Sequence, residues 1–193
     1  MIENVAALFV DPRGPYPKLV SHWYDEARDA RTYEGPFPIV AHPPCGPWGK
    51  LRHLCDRLDE ASLAIAALAT VRRFGGVMEH PRGSGLWEFC GLPRPEQLPD
   101  AFGGRTLEVC QCDWGHPARK RSWLYIVGTT KLPPAPPHRE PTHWVSGGRS
   151  TTTGTRVPEG IKVCSPQQRR RTPKAFAEWL LELAAGAKGA AYQ

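Results

Sequence analysis

The sequence predicts one α/β domain with a mostly parallel sheet and helices on both faces of that sheet. Short apolar runs alternate along the chain with segments of helical periodicity, which is the order that βα units produce. The apolar runs are continuous, as expected for parallel strands that are buried on both faces. A length of 193 residues suits a single domain, and we place residues 1–193 in one domain.

Each predicted element follows from a local pattern and from the residues at its ends. Apolar runs, mostly ending near Gly or Pro, predict strands at 5–10, 38–42, 76–79 and 122–128, and an alternating pattern predicts a strand at 106–112. Helical spacing predicts helices at 19–31, 59–74, 84–90 and 173–185. Residues 129–170 are rich in Pro, Gly and Arg and are predicted to form an extended excursion within the domain.

Positive charge is concentrated in the second half of the chain. The net charge is +6, and residues 101–193 hold 14 Lys and Arg against 6 Asp and Glu. A basic half favours a polyanionic partner, and nucleic acid, in the first place DNA, is the simplest one. The alternative is a basic surface that only keeps the protein in solution.

The chain shows no pattern typical of a membrane or secretory protein. No apolar run approaches the length of about 18 residues that a membrane span needs. The N-terminus lacks the basic residues and the long apolar stretch of a signal peptide. We therefore expect a cytoplasmic protein with no membrane partner, and the sequence leaves its oligomeric state open.

The six cysteines do not form a recognisable metal-binding pattern. There is no Cys-x-x-Cys pair, and Cys110-Gln-Cys112 is too closely spaced for a standard zinc knuckle. We expect no metal site and no disulfides, and most of the thiols are expected to be buried.

Cys45 is the exception, because it follows a predicted strand and a Pro-Pro turn. The two prolines stiffen the backbone and remove two N–H donors. A thiol in this position is expected to be partly exposed and fixed in space, as a nucleophile must be. Basic neighbours such as His42 favour its thiolate form.

Three segments together resemble motifs of the DNA cytosine-C5 methyltransferase family. VAHPPCGPWG, at 40–49, resembles the Pro-Pro-Cys loop that carries the nucleophile of that family. VMEHP, at 77–81, resembles its Glu-Asn-Val segment, with His80 in place of the asparagine. GHPARKRSWLYIVG, at 115–128, resembles its Val-Pro-Gln-x-Arg-x-Arg strand entry. Two weaker matches are Asp29-Ala-Arg31 and the closing helix, and the order of motifs holds from about residue 25 to 185.

The resemblance implies a pared-down, Rossmann-like methyltransferase fold and a covalent mechanism. Cys45 is then the nucleophile that adds to C6 of the pyrimidine and makes C5 able to attack an electrophile. Glu79 is the acid at N3, and Arg121, or alternatively Arg119, contacts O2. The target base must be flipped out of a duplex or be single-stranded.

The resemblance also implies S-adenosylmethionine as the cofactor and a set of binding residues. The residues expected to contact the cofactor are Asp11, Arg13, Gly14, Asp29 and Pro43. The residues expected to contact substrate or nucleic acid are His42, His80, Arg119, Lys120, Arg149, Arg169, Arg170 and Arg171. The glycine-rich loop that cradles the cofactor in this family is replaced by FVDPRGPYP, which holds one glycine. A small relative of this kind would suit a bacteriophage.

Structural alternatives exist for each of these residues. Glu79 has Arg82 as a possible ion-pair partner, and residues 119–121 are also compatible with a solvated turn or with phosphate contacts. Residues 11–14 fit a simple turn, and His80 fits a hydrogen-bonded structural role. The zinc deaminases are excluded because their His-x-Glu and Pro-Cys-x-x-Cys motifs are absent.

Two classes of protein therefore remain open. The first is an enzyme that modifies a pyrimidine at C5, in nucleic acid or as a free nucleotide. The second is a methyltransferase-derived protein without catalysis that binds nucleic acid or a host protein. Affinity for S-adenosylmethionine would favour the first class.

Overall fold

The central sheet contains six strands, and residues 1–49, 52–145 and 159–188 are described by the structure, a computed structural model. The strands are β1 (Ile2–Leu8), β2 (Val20–Tyr24), β3 (Ile39–Ala41), β4 (Gly76–Pro81), β5 (Arg105–Cys110) and β6 (Arg121–Val127). Their order across the sheet is β2-β1-β3-β4-β6-β5. A separate parallel pair is formed by β7 (His143–Trp144) and β8 (Lys162–Val163).

Most neighbouring strands of the sheet run in the same direction. The pairs β1–β2, β1–β3 and β3–β4 are parallel, whereas β6 is antiparallel to both of its neighbours, β4 and β5. The α-helices are α1 (Ala61–Phe74), α2 (Gly85–Phe89), α3 (Pro166–Arg170) and α4 (Lys174–Ala185). The prediction of an α/β fold with a mostly parallel sheet is confirmed.

The two long helices cover opposite faces of the sheet. Four α1 residues, all small or aliphatic, lie in one buried cluster with Ile39 and Met78; they are Ala64, Ala67, Leu68 and Val71. On the other face, α4 buries Phe176 and Leu180 in a cluster with Val5. Side chains of a strand alternate between faces, so each buried strand supplies both clusters. The predicted covering of both faces by helices is therefore also confirmed.

A close approach of two central strands depends on Gly76. Its φ is +113°, and a Cβ at this position would lie 2.0 Å from the Ile39 carbonyl oxygen. A glycine is therefore required where β3 and β4 begin to pair, and this pairing sets the register of the loops at the other end of both strands.

The prediction of a helix at 19–31 is wrong. Residues Val20–Tyr24 form the edge strand β2, and a short 3-10 turn at Ala30–Thr32 follows. Strand β2 exposes part of every side chain after Val20, so it lacks the continuous apolar run that marks the other strands. The remaining 3-10 turns are Tyr16–Lys18, Gly46–Trp48, Arg52–Leu54, Leu58–Glu60 and Gln111–Trp114.

Within the described ranges, no helix is both long enough and apolar enough to cross a bilayer. The excursion predicted at 129–170 lies partly outside these ranges. Its described parts hold the short pair β7–β8 and helix α3.

The topology creates a crevice at the carboxyl ends of β1 and β3. The chain passes from β1 to β2 on one side and then returns to place β3 on the other side of β1. In open α/β sheets, ligands bind at such a topological switch point, outside the carboxyl ends of the strands. The loops that follow β1, β3 and β4 meet at this edge, because these three strands are parallel.

Candidate active site at the carboxyl edge of the sheet

Cys45 lies at the switch point, directly after β3. The Pro43-Pro44 turn leads from the buried strand to the thiol, and Cys45 then begins the 3-10 turn Gly46–Trp48. All six cysteines lie in the described ranges, and Cys45 is the one exposed thiol among them. The loop packs tightly behind it, because a Cβ at Gly46 would lie 2.8 Å from the Cys55 sulfur. Cys45 is therefore an exposed residue on a stiff support, as expected, although nearby loops pack against its sulfur.

The register of β3 and β4 brings His42 next to Glu79. Ala41 pairs with Met78, so the following residues of the two strands lie side by side and point to the same face. The His42 Nδ1 atom lies 3.0 Å from Glu79 Oε2, and both side chains are largely buried. His42 thus contacts an acidic side chain of the site rather than projecting from the surface toward nucleic acid.

The second carboxylate oxygen of Glu79 also accepts hydrogen bonds. Glu79 Oε1 accepts hydrogen bonds from Ser122 Oγ and from Gln111 Nε2, the latter at 3.0 Å. Burial raises the pKa of the Glu79 carboxyl, but the His42 hydrogen bond, the Lys120 charge and the Ser122 hydrogen bond outweigh it and bring the pKa to about 2. Glu79 is therefore ionised at neutral pH, with donors on both oxygens.

Tyr16 completes a hydrogen-bonded chain across the crevice. Its hydroxyl lies 2.6 Å from His42 Nε2, and burial together with the Glu79 charge raises the pKa of Tyr16 well above its ordinary value. The ionised Glu79 can only accept, so Nδ1 of His42 must donate to it. In a neutral ring, Nε2 then accepts from Tyr16. The chain from Tyr16 through His42 to Glu79 ties the loop after β1 to β3 and β4.

The charge of Lys120, rather than that of Arg121, acts on Glu79. Ser122 contacts Glu79, and successive side chains in a strand alternate, so Arg121 points to the opposite face of β6. There its guanidinium forms an ion pair with Glu108. The charge of Lys120, two residues before Ser122, instead lowers the pKa of Glu79. The resemblance implied that Arg121 lies in one site with Cys45 and Glu79. The structure instead places Arg121 on the opposite face of β6 from the Glu79 contact.

Charged groups of both signs change the pKa of the Cys45 thiol. The surrounding loops remove solvent from the sulfur and raise its pKa, and the Glu79 charge raises it further. Lys120 and, more weakly, Arg170 lower it. Arg170 comes from α3, which is held near the site by the buried His116, whose Nε2 lies 3.1 Å from the Gln168 carbonyl oxygen. The charges of Lys120 and Arg170 do not outweigh burial and the Glu79 charge, so the pKa of Cys45 lies above its ordinary value. The expectation that basic neighbours favour its thiolate form is therefore wrong for this fold.

Replacement of Lys120 by glutamine is expected to slow alkylation of Cys45. Loss of the positive charge raises the pKa of the thiol and reduces its thiolate fraction, so the rate with iodoacetamide at mildly alkaline pH should fall by about two- to fivefold. Arg119→Gln is the matched control, because Arg119 is exposed and its Nη2 atom lies 3.9 Å from Glu140 Oε2 rather than at the Cys45 thiol. Equal rates in the two variants would contradict the assignment of Lys120 to this site.

His80 has a structural position, not a surface one. Its ring is fully buried on the α1 face, and Nδ1 lies 2.8 Å from Ser84 Oγ, the group that caps α2. Burial is the main reason why the pKa of His80 falls to about 4, so the ring is neutral at physiological pH. The expected contact between His80 and nucleic acid is therefore not present in this fold.

The remaining predicted basic residues lie on or near the surface. Arg119, Arg170 and Arg171 are exposed, and Arg169 is half-buried. Arg149 lies outside the described residues.

The residues expected to hold S-adenosylmethionine do not form a site that fits it. Both oxygens of Asp11 bond to Arg13, and Gly14 closes the same turn with a hydrogen bond to the Asp11 carbonyl. Asp29 bonds in the same way to Arg31. These carboxylates stabilise local turns, and their pKa values lie below the ordinary value for this reason. Pro43 is buried under the Cys45 loop.

Sequence reasoning missed three polar residues of the site. Tyr16, Gln111 and Ser122 all contact the His42–Glu79 pair; Ser122 lies in the motif segment 115–128 but had no role assigned, and the other two lie outside the three motif segments. Ser122 carried one usable signal, since a hydroxyl in the otherwise apolar run 122–128 must find a partner when it is buried. Tyr16 and Gln111 carried no such signal, because both lie in segments whose path depends on the fold.

Comparisons of the chain with protein-family models, with curated proteins and with solved structures find no match. The functional argument therefore depends on the geometry of the site.

Proposed function

We propose that this protein modifies a pyrimidine base in nucleic acid, cytosine at C5 in the first place, through a covalent bond between Cys45 Sγ and C6 of the base. The observation that carries the proposal is the exposed residue Cys45 at the topological switch point. Burial and the Glu79 charge raise the pKa of its thiol, and Lys120 and Arg170 partly oppose this increase. In this proposal the fold is a pared-down methyltransferase fold. Packing of α4 against β1 supports it, since the closing helix of that family packs in the same way.

The chemistry begins with addition of the Cys45 thiolate to C6. The new S–C6 bond uses one electron pair of sulfur, and the C5–C6 π electrons move into the ring toward C5, N3 and O2. C5 then takes up an electrophile, of which a solvent proton is the simplest. Loss of the original C5 proton and of the thiolate restores the aromatic ring and frees the enzyme.

Lys120 and Glu79 have different roles in the proposed reaction. The charge of Lys120 lowers the pKa of both Cys45 and Glu79, so in this proposal Lys120 meets the negative charge that develops at O2 and N3. Glu79 is ionised and fully hydrogen-bonded, so its first role here is to position His42 and Lys120. Donation of a proton from Glu79 to N3 would require it to take up a proton when the base binds.

The basic residues near the site support a nucleic-acid substrate. Arg170 and Arg171 are exposed and available to a phosphate backbone, and the base would reach the thiol from a single strand or after flipping. The proposal assigns no residue to S-adenosylmethionine, because the predicted cofactor residues form local turns. A carbon electrophile, if one is transferred to C5, must be bound by other groups.

Exchange of the C5 hydrogen with solvent tests the proposal without any cofactor. The full chain is incubated in deuterium oxide with single-stranded DNA, duplex DNA, RNA or cytidine monophosphate, and deuterium at C5 is measured by mass spectrometry. We expect exchange in at least one nucleic-acid substrate. With DNA that contains 5-fluorocytosine we expect a reversible covalent adduct, because the proton taken up at C5 can be lost again. Absence of both exchange and adduct would overturn the proposal.

A second function is supported by a separate observation. Asp11 and Asp29 are engaged in turns, which fits a methyltransferase-derived protein that binds nucleic acid without catalysis. Binding of DNA without exchange or adduct would favour this function.

Binding to nucleic acid is expected to depend on salt through the basic segment Arg169–Arg171. Each phosphate contact releases counterions, so replacing the three arginines by alanine should reduce the slope of log affinity against log salt by about two to three. Fluorescence anisotropy with a labelled DNA strand measures this slope. The control is the Lys18→Ala, Arg94→Ala variant, which loses two exposed charges outside the site. An unchanged slope in the triple variant would mean that the segment does not touch the phosphates.

A further inference from the structure

A second cluster of reactive side chains lies beside the candidate active site. Cys112, Asp113 and His138 each offer a ligand atom, and these atoms all lie within 4.8 Å of one another. The Cys110 sulfur lies 2.7 Å from that of Cys112, at the edge of this cluster, but it is not among the atoms that all lie within 4.8 Å of one another. The four residues come from the end of β5, the following 3-10 turn and the proline-rich segment after β6.

We propose that Cys110, Cys112, Asp113 and His138 bind one zinc ion. Two thiolates, an imidazole nitrogen and a carboxylate oxygen form a four-ligand set, and soft sulfur ligands favour zinc over magnesium or calcium. The proposal is independent of the pyrimidine chemistry proposed for Cys45, since it concerns other residues and other measurements.

Three of the ligand atoms are already close together, and the Cys110 side chain must move toward Asp113 and His138 to complete the set. Zn–S bonds of about 2.3 Å at a tetrahedral angle place two sulfurs about 3.8 Å apart, so the thiols must separate by about 1 Å. His138 already faces the cluster, because its Nδ1 lies 2.9 Å from Asp113 Oδ1. The half-buried Cys110 and the exposed His138 line an open cavity with Arg119 and Arg121, through which an ion can enter.

The charges around the cluster fit a bound ion. Two thiolates and a carboxylate with Zn²⁺ leave one net negative charge, and the guanidinium groups of Arg119 and Arg121 line the same cavity. The backbone N–H of Arg139 already donates to Asp113 Oδ1 at 3.1 Å and would orient the carboxylate in the loaded site.

A zinc ion here would add a further link between two parts of the chain that hydrogen bonds from His138 and Arg139 to Asp113 already join. Residues 131–142 contain no helix or strand, and His138 lies 26 residues after Cys112. The ion would fasten this segment to the end of β5. It would also fix the residue between the two cysteines, Gln111, whose side chain donates to Glu79.

A disulfide between Cys110 and Cys112 is the competing explanation for the short sulfur–sulfur distance. It would use two of the four groups and would leave the approach of Asp113 and His138 unexplained. The zinc site accounts for all four, so we favour it.

Metal analysis of the purified full chain tests the site. We expect one zinc per chain and, after exchange with Co²⁺, a thiolate-to-cobalt charge-transfer absorption. His138→Gln and Cys110→Ser should each weaken zinc binding by at least about 100-fold, because even the partners that orient zinc ligands contribute about 10–100-fold. His138 is exposed, so its variant is expected to fold.

Cys90→Ser and His53→Gln are the controls, since both side chains lie outside the cluster, and both variants should keep their zinc. Several results would overturn the site: wild-type protein without zinc and without a charge-transfer band, undiminished affinity in both ligand variants, or a Cys110–Cys112 disulfide found by peptide mass mapping.

Discussion

Replacement of Cys45 by serine is expected to abolish C5 hydrogen exchange and the 5-fluorocytosine adduct while leaving the fold intact. A hydroxyl without a dedicated base is a far weaker nucleophile than a thiolate, so the exchange rate should fall by several orders of magnitude. The thiol is exposed, and serine has nearly the same size, so the melting temperature and the affinity for DNA should change little. Mass spectrometry, thermal unfolding and anisotropy measure the three quantities.

Alkylation provides an independent check on the same residue. Brief treatment with iodoacetamide should label Cys45 ahead of the five half-buried or buried thiols. Cys55→Ser is the matched control, because Cys55 lies against the same loop but is less exposed. Faster labelling of another cysteine, or full activity of Cys45→Ser, would contradict the role of Cys45 as the nucleophile.

Most of the sheet could be predicted because its strands are buried on both faces. Continuous apolar runs located β3, β4 and β6 to within a few residues, and the amphipathic pattern located α1 and α4. Strand β2 was missed for the opposite reason. As an exposed edge strand it mixes polar and aromatic residues, and local pattern alone does not separate such a segment from a helix.

The position of the site could also be predicted, but not the division of roles within it. Placing Cys45 and Glu79 after parallel strands was enough to put both at one edge of the sheet. Choosing between Lys120 and Arg121 required the pairing of β6 with β4, because a shift of one residue sends a side chain to the other face. The motif resemblance pointed to Arg121, whereas the charge that acts on Glu79 is that of Lys120.

Long-range contacts explain the rest of what the sequence could not provide. Tyr16 reaches His42 from 26 residues away, and Gln111 reaches Glu79 from 32 residues away. A local pattern of residue types does not extend over such a separation in sequence, so it cannot predict these contacts. The same holds for His138, which lies near Cys112 because the proline-rich segment folds back toward the end of β5. The spacing of the cysteines in the sequence does not contain this contact and therefore predicted no metal site.

Glu79→Ala is expected to destabilise the protein by about 3–5 kcal/mol at neutral pH. The substitution leaves His42, Gln111 and Ser122 as buried donors without their acceptor. Leaving these donors unpaired costs more free energy than removal of the carboxylate does by itself. Glu3→Ala is the matched control, since Glu3 also lies in a strand but is exposed, and its free energy of unfolding should change by no more than about 0.5 kcal/mol. Urea unfolding measures both. Similar stability of the two variants would mean that the hydrogen-bonded chain is not formed.

The destabilisation caused by Glu79→Ala should also shrink in acid. Folding lowers the pKa of Glu79 from 4.5 to about 2, so between these pH values the folded chain binds fewer protons than the unfolded chain. The stabilisation by the ionised carboxylate is complete above pH 4.5 and is lost as the pH falls toward 2, and it amounts to about 3 kcal/mol. The difference in unfolding free energy between wild type and Glu79→Ala should therefore stay constant from neutral pH to pH 4.5 and then narrow. A difference that stays the same throughout this acid range would show that Glu79 is not held ionised by His42 and Lys120.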